Sequence, residues 1–340
     1  MRGLETAFVT GATGLLGGNL VRELAARGVR VRALARSPAK AALQFGGLAG
    51  VEIVEGDMLA VPGFAAALAG VDVLFHTAAH FRDSYTGGDH WDKLRATNVD
   101  GARNLLSAAY DAGVRRAVMT SSIAVLDGPR GAVINETMVR RVDRADDYYR
   151  SKILADEVAF EAMKAHSDLD ITLVLPGWMH GPGDAGPTSA GQVTLDFINR
   201  KLPGIVPATF SVVDARDVAR ALVASAERGR RGERYLAAGR HMTMADLLKV
   251  YEQVTGVAAP KGKVPPLLLL AIATVSEAMA RLTGKPTLLS LATVRLMLRE
   301  AERSRFDHAK SERELGVTFR PVAETLRDEI AWFRARGRIA

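Results

Sequence analysis

Cysteine is absent from the 340 residues, which excludes disulfides and thiolate chemistry and is compatible with a reducing compartment; a cytoplasmic protein is expected. Long hydrophobic runs are absent too. The apolar run Leu267 to Ala273 continues as a helical pattern to Ala280, but Ser276 and Glu277 interrupt it, and it is too short and too polar to span a bilayer. A buried helix is the expected reading there, with interfacial membrane contact the secondary one. The first apolar strand pattern starts within a few residues of Met1, so no signal peptide is expected. There is no internal repeat, no low-complexity linker and no G-x-S-x-G elbow, which removes the α/β-hydrolase reading. Charge is not segregated either. The net charge of +7 arises from 45 basic and 38 acidic residues interleaved along the chain, as on a solvated surface, and no basic face marks a nucleic-acid binder.

What is present is an ordinary globular composition, 48% hydrophobic and 24% charged, in a chain long enough for one large domain or two closely joined ones. Short, mostly apolar runs at Ala7–Val9, Val29–Ala35, Val51–Glu55, Val71–His76, Arg116–Thr120 and Ile171–Leu175 alternate with helical patterns at Leu15–Arg27, Phe64–Leu68, Asn98–Ala112 and Tyr148–Ala165. Ser37-Pro38 reads as a breaker. This alternation predicts an α/β fold, a doubly wound parallel sheet covered on both faces. Past Pro176 the rhythm changes: Gly- and Pro-rich loops, a helix at Ser189–Lys201, then Ser211–Val213 and Arg234–Ala237 returning to the sheet around a helix at Asp217–Glu227. From Thr243 only helical patterns follow, at Met244–Val254, Pro266–Arg281, Leu288–Glu302, Asp307–Leu315 and Val322–Arg336. The expected division is a dinucleotide-binding domain over 1–176 with 205–238 returning to its sheet, and a mainly helical substrate domain over 177–204 and 239–340.

The stretch Thr10–Gly18, TGATGLLGG, lies between the first strand and the first helix. In a Rossmann-type turn of spacing Gly11-x-x-Gly14-x-x-Gly17, the first glycine permits the tight exit. The second removes a Cβ where a pyrophosphate approaches, and the third lets the helix sit close. Gly11, Thr13, Gly14, Leu15, Leu16 and Gly17 are thus candidates to cradle a dinucleotide at a helix N-terminus. About twenty residues on, where a carboxylate would bind a ribose 2′-hydroxyl, none is available. Arg36 ends the second strand and Lys40 follows, a pair suited to a 2′-phosphate, so NADP is expected over NAD; the alternative is a surface arginine. Asp57 ends the next strand as an adenine contact or a plain turn residue.

Tyr148 and Lys152 lie four apart on a helical pattern and so share a face. A free phenol, with a pKa of about 10, is a poor acid or base at neutral pH, and a nearby ammonium lowers that value. The strand ending Thr120-Ser121-Ser122 precedes the pair and adds a hydroxyl beside the same substrate oxygen, unless the serines only satisfy backbone.

Together these stretches resemble the extended short-chain dehydrogenase/reductase family, which includes NAD-dependent epimerase/dehydratases and dihydroflavonol 4-reductase-like reductases. The resemblance covers nearly the whole chain. Besides the glycine turn it rests on Gly56-Asp57-Met58, His76-Thr77-Ala78-Ala79, Asn98-Val99-x-Gly101, Thr120-Ser121-Ser122 and Tyr148-x-x-Ser151-Lys152. Pro176 with Gly181-Pro182-Gly183-Asp184, and Val213-Asp214-x-Arg216-Asp217-Val218, complete it. It implies a catalytic trio of Ser122, Tyr148 and Lys152, with Ser122 rather than Ser121 as the donor. It also implies that Ala78, Thr120 and Pro176 line the cofactor, that Asp57 and Met58 flank the adenine, and that Arg36 reads a 2′-phosphate. A homodimer through the Asn98 and Tyr148 helices is implied as well.

The activity expected is NADPH-dependent reduction of an aldehyde or ketone of fairly apolar character, with Tyr148 as acid and base. The alternatives are a nucleotide-sugar epimerase or dehydratase with tightly held NAD(P), and a non-catalytic NADP-sensing regulator. His76 and His80 are four apart but follow a strand and lack a carboxylate at ligand spacing, so no metal site is expected. Phe81, Arg82, Tyr85, His90 and Trp91 form either a substrate lid or a satellite packing cluster. Trp178 and Met179 face either the substrate or an interdomain core.

Overall fold

The computed structural model describes residues 3–81, 90–283 and 290–339, the side chains of 280–283 excepted. Its first half alternates β1 (Thr6–Thr10), α1 (Leu15–Ala26), β2 (Arg30–Ala35), α2 (Pro38–Phe45), β3 (Val51–Glu55) and β4 (Val73–His76). After α3 (Trp91–Leu94) and α4 (Gly101–Asp111) come β5 (Arg116–Thr120), α5 (Asp147–Ala165) and β6 (Asp170–Pro176). The chain continues through β7 (Trp178–His180), α6 (Ser189–Ile198), β8 (Thr209–Asp214), α7 (Ala215–Arg228), β9 (Arg234–Ala237) and β10 (Arg240–Thr243). It closes with α8 (Met244–Thr255), α9 (Pro266–Thr283), α10 (Leu291–Glu300), α11 (Ala309–Leu315) and α12 (Val322–Ala335).

Seven parallel strands form one sheet in the order β3-β2-β1-β4-β5-β6-β9. Every residue of β1 is buried, as expected of a strand covered on both sides. Ala7 and Val9 point into a core shared with Leu20 and Leu24 of α1 and Leu222 of α7. Phe8 points the other way, among Leu105 of α4 and Ile153 and Val158 of α5. This is the Rossmann-type doubly wound architecture that the strand and helix rhythm implies.

Ser37-Pro38 does not merely interrupt the chain. Ser37 caps α2, accepting from the Lys40 amide at 3.4 Å, and Pro38 occupies the first helical turn, where its missing N–H costs nothing. The helix expected at Asn98 opens with a π-helical turn over 95–100 before α4, and the pattern at Phe64–Leu68 forms 3₁₀ turns. Of the two strands expected to rejoin the main sheet, only β9 does so, beside β6. β8 instead pairs parallel with β7 and antiparallel with β10 in a separate three-stranded sheet. The cause is local. β7 begins two residues after β6 ends and offers β8 a fresh edge, and a Cβ at Gly177 would run into the carbonyls of Ser211 and Ala238. The helices after Thr243 are present, although the expected start at Leu288 lies outside the described residues.

A third core lies around the small sheet, with Phe197, Leu247, Leu248, Tyr251, Leu269, Ala273, Val294 and Leu326. Beneath it Glu329 of α12, fully buried, meets His180 Nδ1 at 3.0 Å and accepts from Thr194 Oγ1 at 2.8 Å; that hydroxyl also bonds Tyr251 at 2.6 Å. Burial of α9 is confined to one face: Leu269 and Ala273 are inside, whereas Leu267 is 82% exposed. No helix among the described residues is long and apolar enough to cross a membrane.

Candidate active site

The strand order reverses between β1 and β4, and the crevice at their C-terminal ends is where such sheets bind ligands. Gly11 leaves β1 with a φ of +65°, and a Cβ there would stand 2.7 Å from the Ala78 amide nitrogen at the end of β4. A Cβ on Gly17 would overlap the Gly11 carbonyl, so α1 can sit this low only with glycine. Gly14 is exposed and meets only the Gly11 carbonyl oxygen within 4 Å, leaving its outer side clear. α1 carries no side-chain cap and no acidic residue in its first turn. The side chains of Leu15 and Leu16 are buried, so those residues face the crevice with backbone N–H groups. Thr13 is half-buried, and its carbonyl accepts from Gln44 Nε2 at 3.2 Å. A glycine cradle over an uncapped helix start fits a diphosphate.

Arg36 and Lys40 stand exposed beside this turn, and neither pairs with a carboxylate among the described residues. Asp57 Oδ1 accepts from the Leu59 amide at 3.0 Å, so one of its oxygens serves the turn. Met58 is buried in the core beneath it. Ala78 donates its amide to Thr10 Oγ1 at 3.3 Å, and the same hydroxyl meets His76 Nδ1 at 2.8 Å. Burial, reinforced by the Lys152 cation, pushes the pKa of His76 down to about 3 and keeps the ring neutral. No group of three or more metal-binding side chains occurs among the described residues.

Asp146 caps α5, accepting from the Tyr149 amide at 2.9 Å, and so sets Tyr148 and Lys152 on consecutive turns. The Ser122 hydroxyl at the end of β5 is near enough to the Tyr148 phenol to favour its ionised form, and the phenol ring lies edge-on to Phe81 with centroids 4.7 Å apart. Ser122 Oγ also accepts from the Ala124 amide at 3.1 Å. Ser121 is turned inward, its hydroxyl buried without a hydrogen-bond partner. Between the two serines, the structure puts Ser122 beside the phenol.

The expected lowering of the Tyr148 pKa by Lys152 is not what the structure gives. Burial and the nearby Asp146 push the phenol up to about 12, against the hydrogen bond with Ser122. Lys152 is buried and donates its Nζ proton to the Thr120 carbonyl at 2.7 Å. Its own pKa falls to about 8 because burial outweighs the attraction of Asp156, which is itself paired with Arg234 at 3.1 Å.

That depressed value has a measurable consequence. Between pH of about 8 and the ordinary lysine value, the unfolded chain keeps a proton that the folded chain has released, so stability rises with pH across this window. Lys152→Met is expected to remove that rise and, without added cofactor, to raise stability at pH 7 by about 1 kcal/mol, the burial cost less the lost hydrogen bond. Thermal melting from neutral to alkaline pH measures both; a large loss of stability at pH 7 would contradict the account.

The Thr120 hydroxyl is buried without a partner at the C-terminal end of β5, and Pro176 ends β6 opposite Ala237. Two positioning residues were not singled out from sequence, although both stand within its motifs. Asn98 accepts from the His80 amide at 2.6 Å and donates to the His80 carbonyl and to Ser151 Oγ, both at 3.0 Å. Ser151 in turn donates to the Tyr148 carbonyl at 2.8 Å. The pair ties the segment after β4 to the helix bearing the phenol.

Of the aromatic loop, Phe81 touches Tyr148 and Trp91 lies under the Arg150 guanidinium at 4.1 Å; Arg82 and Tyr85 lie outside the described residues. Trp178 stacks on Phe210 at 4.3 Å and donates to Ser189 Oγ at 3.2 Å, so it packs within the small-sheet layer; Met179 packs against the main core.

Comparison with known proteins gives the family. The family model described as NAD(P)H-binding matches residues 11–228. The chain is 38% identical to "Sterol demethylase protein B" of Methylococcus capsulatus over 98% of this chain and 100% of that protein. It is 32% identical to a Synechocystis protein provisionally named a dihydroflavonol 4-reductase, over 97% of this chain and 95% of that one. The crystal structure of gox2253 superposes with a TM-score of 0.82 at 32% identity, covering 99% of this chain and 100% of that one. The chain belongs to the NAD(P)H-binding proteins of the extended short-chain dehydrogenase/reductase family. Its activity is of the NAD(P)-dependent oxidoreductase or epimerase kind that defines this family.

Proposed function

We propose that the protein is an NADP-dependent reductase of apolar aldehydes or ketones. The observation that carries this reading is the placement of Tyr148 and, one helical turn further on, Lys152 at the C-terminal end of β5, where Lys152 bonds the Thr120 carbonyl and Ser122 stands near the phenol. Gly11, Gly14, Gly17 and the N–H groups of Leu15 and Leu16 would hold the diphosphate. Arg36 and Lys40 would hold the 2′-phosphate, and Asp57 and Met58 would flank the adenine. Ala78, Thr120 and Pro176 would line the nicotinamide end, where the orphaned Thr120 hydroxyl has a polar group to gain.

When bound, the reduced dinucleotide supplies the hydride. Tyr148 gives its proton to the carbonyl oxygen, and a pKa of about 12 keeps the phenol protonated, the form that donates, at neutral pH. Ser122 holds the same oxygen by a hydrogen bond. Lys152, still a cation at neutral pH, steadies the phenolate that remains, which regains its proton from solvent before the next turnover.

An apolar substrate is supported by the apolar small-sheet layer and by full-length similarity to a protein named for sterol demethylation, so a sterol ketone is the first compound to try. The reading extends to a cytoplasmic homodimer joined through α4 and α5. The test is NADPH oxidation against a panel of sterol ketones and smaller carbonyls. Turnover of an apolar ketone supports the reading. NAD retained through purification, with interconversion of a nucleotide sugar and no ketone turnover, overturns it in favour of an epimerase.

A further inference from the structure

α9 presents two different faces. Leu269 and Ala273 are buried in the core around the small sheet, on the side of α10, whereas Leu267, Leu268, Val275 and Met279 are exposed by 82, 51, 63 and 52%. With Ala271, Thr274 and Ala278, also exposed, they fill one continuous arc of the helix. That arc carries no charge, and its one hydroxyl, Thr274, donates back to the Leu270 carbonyl at 2.8 Å. Glu277 lies off the arc and accepts from the Leu291 amide at 3.3 Å.

The end at which α9 starts is basic. Ile205 and Lys263 form a β-bridge, with the Ile205 amide donating to Gly262 at 2.8 Å and the Val264 amide to Ile205 at 2.9 Å. This pairing brings the loop bearing Arg200 and Lys201 beside Lys261 and Lys263. All four cations are exposed, and none pairs with a carboxylate among the described residues. No Asp or Glu occurs over 197–213 or 253–276. A soluble surface normally mixes both signs around its apolar atoms; here large aliphatic side chains are bordered by one sign only.

We infer that α9 is a docking helix for an anionic phospholipid surface, its apolar arc lying in the headgroup boundary and Arg200, Lys201, Lys261 and Lys263 meeting lipid phosphates. A helix of 18 residues, about 27 Å long, lies in the plane of such an interface and buries its apolar side there. A second copy of the chain fits less well. A twofold contact would set this patch against itself and bring two sets of four unpaired cations together. A nucleic acid would leave the aliphatic arc uncovered.

The test uses the full chain with vesicles of phosphatidylcholine alone and of an equal mixture of phosphatidylcholine and phosphatidylglycerol. Co-sedimentation is expected with the mixed vesicles and to be weak with the neutral ones, and to fall as salt is raised. Lys261→Glu with Lys263→Glu, and separately Leu268→Glu with Val275→Glu, are expected to weaken binding by about tenfold or more. Because all four positions are exposed, melting should match wild type in both variants, and either alone suffices if the other misfolds. Absence of binding to the mixed vesicles, or equal binding to both kinds, overturns the inference. So does a wild-type oligomer in sedimentation velocity that the Leu268→Glu, Val275→Glu variant alone breaks, since a second copy then covers the arc.

Discussion

Tyr148→Phe is expected to lower kcat for carbonyl reduction by about a thousandfold, within the range of general acid catalysis, while leaving NADPH affinity close to wild type. The substitution removes one oxygen. The ring keeps its edge contact with Phe81, and the Asp146 cap that seats it uses the Tyr149 backbone. What is lost is the proton delivered to the nascent alkoxide, along with the partner of Ser122. Steady-state NADPH oxidation measures the first quantity and fluorescence titration of bound NADPH the second. Undiminished turnover by the variant would end the acid role of the phenol, and a parallel collapse of NADPH binding would point to misfolding instead.

Arg36→Ala is expected to weaken NADPH by about 10- to 100-fold and NADH hardly at all, since a hydrogen-bonded charge pair contributes roughly 1.5–3 kcal/mol. Arg36 has no carboxylate partner to release among the described residues, so its guanidinium meets a phosphate without first breaking an ion pair. Lys40, on the first turn of α2, offers a second and weaker charge, and removing both should bring the two dinucleotides to similar affinity. Paired titrations of wild type and variants with NADPH and NADH decide the matter. A wild type indifferent to the additional phosphate would refute the preference.

The main sheet was legible because most of its parallel strands stand out as short apolar runs between helical patterns, and because Gly11, Gly14 and Gly17 mark where the first one ends. The small sheet was not. β7 and β10 span three and four residues, and β10 is mostly polar, too short for any periodicity to separate strand from loop. Ser211–Val213 shows that it is a strand but not which sheet it joins, since pairing is decided by the edge that β7 happens to offer. At the site, spacing alone put Tyr148 and Lys152 on one face of a helix. It did not reveal that the lysine turns to a carbonyl, or that burial dominates the phenol, because both depend on what closes over the helix from β5. The role of Asn98 was out of reach for a related reason: its partners lie 18 and 53 residues further along or back in the chain.

The carboxylate of Glu329 meets His180 from a point 149 residues later in the chain, and this orders events during synthesis. Domains acquire structure from the N-terminus as they leave the ribosome. The glycine turn and the Tyr148 helix draw on later residues too, since Asn19 of α1 donates to the Pro182 carbonyl and Arg299 holds Asp146, the cap of α5; His180, Thr194 and Tyr251 likewise wait for the last helix to meet their shared acid. A nascent chain therefore completes neither the nucleotide crevice nor the layer around Glu329 until its C-terminal helices have emerged. Loss of the final dozen residues would take Glu329 with it and leave His180 and Thr194 buried without their shared carboxylate.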